Sequence, residues 1–136
     1  MTQSPNRLVA TIFGAVYLLV GVLGLFVAGG NFAGQEGGLL LGIFQVNHLH
    51  NIAHLLIGGA LLAAGLRSTP AAKSVNIAVG AVYLLLGIVG FFLVGTALNI
   101  LALNTPDHIL HLASAIVLLG TGLALDRSAS TSRAAI

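Results

Sequence analysis

The sequence predicts an all-α integral membrane fold: four transmembrane helices in a tandem repeat of one two-helix hairpin, with a pseudo-two-fold axis along the membrane normal. Three observations lead there. Of the 136 residues, 57% are hydrophobic and only 6% are charged, whereas soluble domains carry about 25% charged residues. A soluble chain with so little charge could not cover its own surface. Four apolar segments, 8–29, 49–66, 75–94 and 108–125, each approach the roughly 20 residues a helix needs to cross the hydrocarbon core. The second half of the chain also repeats the first.

The first segment could be mistaken for a secretory signal. Its apolar run is longer than such a region and recurs later in the chain, so it is read as a retained helix. "GAVYLLVGVLGLFVAG" from Gly14 returns as "GAVYLLLGIVGFFLVG" from Gly80. "NHLHNIAHLLIGGALLAAGL" from Asn47 returns as "NTPDHILHLASAIVLLGTGL" from Asn104. The repeats cover about 8–67 and 74–125 of a single membrane domain, 1–136. The offset changes between the two comparisons because the first inter-helix loop, with "GGNFAGQEGG", is longer. Residues 126–136 read as a disordered cytoplasmic tail.

The charges indicate orientation. Arg7, Arg67, Lys73, Arg127 and Arg133 fall before helix 1, between helices 2 and 3, or after helix 4. The other two loops hold no Lys or Arg, which predicts cytoplasmic termini. No basic face with interleaved aromatics exists, so nucleic acid is not an expected partner. The bilayer is, and a membrane-protein partner or a second copy is open. With no cysteine in the chain, disulfides, thiolate metal sites and covalent haem attachment are excluded.

In helices 1 and 3 a stripe of Gly14, Tyr17, Gly21 and Gly24 recurs as Gly80, Tyr83, Gly87 and Gly90. Small residues at this spacing let helix backbones approach closely in lipid. The tyrosines are expected to lean toward the cytoplasmic helix starts, away from the histidines.

Helices 2 and 4 carry the chemistry. Asn47 matches Asn104 and His54 matches His111; His50 and Asn51 face the places of Asp107 and His108. Capping accounts for Asn104, Thr105, Pro106 and Asp107, with Thr105 as the expected cap and Pro106 at the first helical position. It does not account for His54 and His111, which fall inside the membrane segment, where ionisable residues are functional candidates. His50 with His54, and His108 with His111, each share a helix face. The four could ligate a transition metal through neutral imidazole, with Asn47, Asn51, Asn104 and Asp107 as supporting groups. Alternatively, His54 and His111 could be axial ligands of a non-covalent haem. Interhelical hydrogen bonding in an accessory or structural subunit, or proton, quinone or small-solute handling, remain open readings. His48 points off this stripe. A hydrolytic enzyme is not expected: no serine or cysteine is set beside a base, and the only acids are Glu36, Asp107 and Asp126. No catalytic residue is assigned.

"GAVYLLVGVLGLF", "NHLHNIAHLLIG" and "NTPDHILHLASAIVLL" together resemble the DUF4383 family of small bacterial membrane proteins, over about residues 8–125. The resemblance implies four transmembrane helices in a bacterial inner membrane. It brings no activity, cofactor or catalytic residue.

Overall fold

Apolar composition and close glycine packing give a bundle of four long helices. The computed structural model describes residues 4–127. In order, the elements are α1 (Pro5–Val27), β1 (Gly38–Leu40), β2 (Phe44–Val46), α2 (His48–Arg67), α3 (Thr69–Leu93) and α4 (Thr105–Ala124). All four helices are long and apolar enough to cross a membrane. Large apolar side chains such as Phe26, Leu56, Phe92 and Ile116 lie exposed on them, as lipid-facing residues do. The chain has the build of a multi-pass membrane protein.

Each helix begins at a side-chain cap. Ser4 Oγ accepts from the Arg7 N–H at 3.3 Å, and Asn47 Oδ1 accepts from the His50 N–H at 2.8 Å. Ser68 alone separates α2 from α3: its N–H donates to the Ala64 carbonyl and its Oγ accepts from the Ala71 N–H. At α4 the cap is Asn104, not the expected Thr105. Asn104 Oδ1 accepts from the Asp107 N–H at 3.2 Å, and Asp107 Oδ2 accepts from the Asn104 N–H at 3.0 Å. This reciprocal pair satisfies two end donors at once and needs the acid three residues beyond the cap, a spacing that only Asn104 offers Asp107.

Glycine permits the helices to touch. A Cβ on Gly14 would fall 2.8 Å from the Gly58 carbonyl oxygen, and one on Gly58 would fall 2.7 Å from the Leu18 nitrogen. In the α3–α4 pair, a Cβ on Gly80 would fall 2.9 Å from the Leu119 nitrogen. Between the two pairs lies a core of Ala10, Tyr17, Leu61, Ala72, Val79, Tyr83, Ala115 and Leu118.

Polar side chains tie both ends. At the end carrying the termini, Arg7 donates to the carbonyls of Gly65 and Leu66 at 2.8 and 2.7 Å. Lys73 donates to those of Gly122 and Leu125. Both cations thus satisfy carbonyls at a helix C-terminus, where the dipole also favours them. Lys73 was expected as a loop charge; it sits inside α3, buried, because these carbonyls replace its water. At the opposite end, Asn47 Nδ2 donates to Gly34 and Ile100, and Asn104 Nδ2 donates to Ile43. Each cap residue therefore reaches into the loop of the other hairpin. A bridge between Gly34 and Leu101 joins those loops directly. β1 and β2 form an antiparallel hairpin in the longer loop, a feature the sequence did not announce.

Asp126 opens the segment expected to be a disordered tail; residues 128–136, with Arg133, lie outside the described residues. Its Oδ2 accepts from Ser4 Oγ at 3.0 Å and from the Asn6 N–H and Nδ2 at 2.9 Å each. Partial burial pushes its carboxyl up, but the Asn6 and Ser4 hydrogen bonds and the Lys73 charge outweigh this and hold it below the usual carboxylate range. A carboxyl depressed on folding stabilises the folded state above its unfolded pKa, near 3.9. That contribution is lost as pH falls through the folded value. Melting in detergent between pH 5 and 2 should therefore show a shallower acid limb for Asp126→Asn than for the parent; superimposable limbs would contradict the arrangement.

Candidate metal centre

Two helices supply three imidazoles to one point. His50 and His54 stand one turn apart on α2, and His111 comes from α4. One ring nitrogen from each can be chosen so that all three lie within 4.8 Å of one another. Ring centroids are 4.4 Å apart for His50–His54, 5.8 Å for His50–His111 and 6.2 Å for His54–His111. All three residues are buried, at 2%, 4% and 1% exposure.

The four ring nitrogens of His54 and His111 have no hydrogen-bond partner among the described residues, while His50 faces the backbone of Gln45 and Leu101. A neutral imidazole always keeps one N–H donor. Leaving a buried polar group unmade costs about 1–3 kcal/mol. With His50 beside them, the His54 and His111 rings form a polar pocket that the protein itself only partly satisfies.

Tyr17 and Tyr83 form its floor, against the expectation that they turn away. Tyr17 lies 5.1 Å from His54, Tyr83 stacks on His111 at 5.0 Å, and the tyrosines stack on each other at 5.1 Å. The expected lean holds for the Tyr17 hydroxyl, which bonds Ser114 at 2.6 Å, one turn beyond His111 on α4. The ring itself is wide enough to reach His54. Tyr83 Oη faces the Tyr17 hydroxyl. The sequence did hold a signal for both rings: they share the repeated buried stripe with the close-packed glycines.

The other sequence candidates lie apart from the trio. His108 is buried against Phe91, with ring centroids 4.5 Å apart, and packs beneath Gly90. Asn51 is buried against Gly24, its side-chain amide without a hydrogen-bond partner among the described residues. Asn47, Asn104 and Asp107 are engaged in capping. His48 bonds the Gly29 carbonyl through Nε2 at 2.7 Å, off the stripe.

Such a donor set suits a small ion. Zinc–imidazole bonds of 2.0–2.1 Å place tetrahedral nitrogen ligands about 3.3 Å apart. With all three nitrogens within 4.8 Å of one another, no pair would have to close by more than about 1.5 Å.

Searches of curated proteins and of solved structures returned no match. A family model, described as a domain of unknown function, matches residues 7–134. That match covers nearly the whole chain, so the protein with this three-histidine centre belongs to the DUF4383 family.

Proposed function

We propose that this is a membrane protein that holds one transition-metal ion on His50, His54 and His111. The observation carrying the reading is the convergence of three buried imidazoles, of which His54 and His111 have no hydrogen-bond partner among the described residues. Histidines acting as interhelical hydrogen-bond glue in an accessory subunit need acceptors and donors that His54 and His111 lack among the described residues. A haem on His54 and His111 is less well supported. It requires a flat slot between those rings, and His50 crowds both of them while Tyr17 packs tilted against His54 and Tyr83 stacks on His111.

The test is thermal. A ligand at about 100 times its Kd stabilises the folded state by about 2.7 kcal/mol. Purified without a polyhistidine tag, the protein should melt higher after addition of a late first-row metal. His54→Ala should abolish that rise and His108→Ala should keep it. Equal rises in the parent and in His54→Ala would place the metal elsewhere.

The same reading sets the bundle in a bacterial inner membrane, termini cytoplasmic, with the histidines nearer the outer surface. Its support is the distribution of Lys and Arg. On intact cells, an impermeant thiol reagent should label Gln35→Cys and spare Arg67→Cys; the reverse pattern would invert the topology. We also read the chain as a tandem repeat. Contacts recur in matched pairs: Tyr17–His54 with Tyr83–His111, Arg7–Gly65 with Lys73–Gly122, and Gly21–Leu55 with Gly87–Leu112. His50 takes the place that Asp107 holds in the second hairpin, so a centre built on repeated halves would be asymmetric in one ligand.

A further inference from the structure

We propose that the ion held by this trio is cuprous copper, a refinement that rests on the metal reading above. The donor set is three neutral imidazoles and nothing anionic. No cysteine exists, and the chain has three acidic side chains. Glu36 is exposed in the long loop. Asp126 is held by Ser4 and Asn6 at the far end of the bundle. Asp107 stands one turn from His111, but its Oδ2 is engaged by the Asn104 N–H and it does not join the ligand group.

Charge then selects the ion. The solvation penalty of burying an ion rises with the square of its charge, so a divalent ion costs about four times as much to desolvate as a monovalent one. The rings are almost wholly shielded from solvent and floored by two tyrosines. Even when ionised, Asp107 balances one positive charge and not two. Zinc and cupric sites with neutral ligands depend on an added anion, commonly hydroxide or carboxylate, to complete their shell. Cuprous copper carries a single charge. Its filled d shell imposes no geometry, and three nitrogens in a trigonal arrangement suffice for it. Imidazole is among the ligands that copper accepts.

The experiment uses the full chain in detergent, purified without a polyhistidine tag and kept under ascorbate. Cuprous ion is delivered from a bicinchoninate buffer, and zinc and cupric ions are titrated separately without reductant. The expected result is one cuprous ion per chain, silent in electron paramagnetic resonance, with an X-ray absorption spectrum of three nitrogen scatterers. Its affinity should exceed those for zinc and cupric ion by about a hundredfold or more. His54→Ala and His111→Ala should each lose it, while His48→Ala and His108→Ala retain it. Circular dichroism of every variant separates a lost ligand from a lost fold. If zinc binds one to one, as tightly as cuprous copper, and depends on His54, the oxidation-state assignment is overturned and the metal centre stands. If the folded parent takes up no metal, both fall.

Discussion

Replacing Gly14 with leucine should dismantle the α1–α2 pair. A Cβ there would meet the Leu62 nitrogen and lie 2.8 Å from both the Gly58 carbonyl oxygen and Leu62 Cα. These are helix backbone atoms, which cannot swing aside as the tip of a side chain does. Ordinary overpacking costs about 1–3 kcal/mol. Wedging backbones apart belongs to the exceptional class above about 4 kcal/mol. Most of the variant should fail to elute as a folded species from a sizing column in detergent. Gly80→Leu should behave alike, because its Cβ would meet the Leu119 backbone. Gly59→Leu is the control, since nothing lies within 4 Å of a Cβ at that position. Equal recovery of the Gly14 and Gly59 variants would mean that the helices do not approach as described.

Removing either His54 or His111 should abolish most metal affinity, and removing both should add little. Three ligands on one ion act as a unit, and groups that share a partner are non-additive. Each single alanine variant should weaken binding by about a thousandfold or more, equivalent to roughly 4 kcal/mol. The double variant should fall within about tenfold of the weaker single one. Competition titration against a chromophoric chelator reads all four corners of the cycle. Losses that add would assign the rings to separate sites. His48→Ala should match the parent, because its ring is spent on the Gly29 carbonyl.

The four spans were legible because lipid imposes a single demand: about twenty apolar residues whose backbone bonds to itself. The helices begin a few residues earlier than the apolar runs at Pro5, Thr69 and Thr105, since polar first turns carry the caps and hydropathy does not see them. The glycine stripe was legible as close packing. His50, His54 and His111 were legible as ligand candidates because they share helical spacing on α2 and match across the repeat. What separated His108 from them is tertiary. It occupies the place in α4 that Asn51 holds in α2, and both pack outward beneath a glycine, Gly90 and Gly24 respectively. The tyrosines were misjudged because side-chain lean was applied to the whole residue, when a ring spans the distance that the lean removes. The β1–β2 hairpin left no trace because strands of three residues are too short to show an alternating pattern.

Metal content per folded chain tests the central claim most directly. The untagged protein would be equilibrated with a buffered transition-metal solution, freed of loose ions by gel filtration and assayed by mass spectrometry beside His54→Ala. The account predicts one ion per chain in the parent and close to none in a variant of equal helicity. A folded parent that emerges without metal, or a variant that carries as much as the parent, would contradict it.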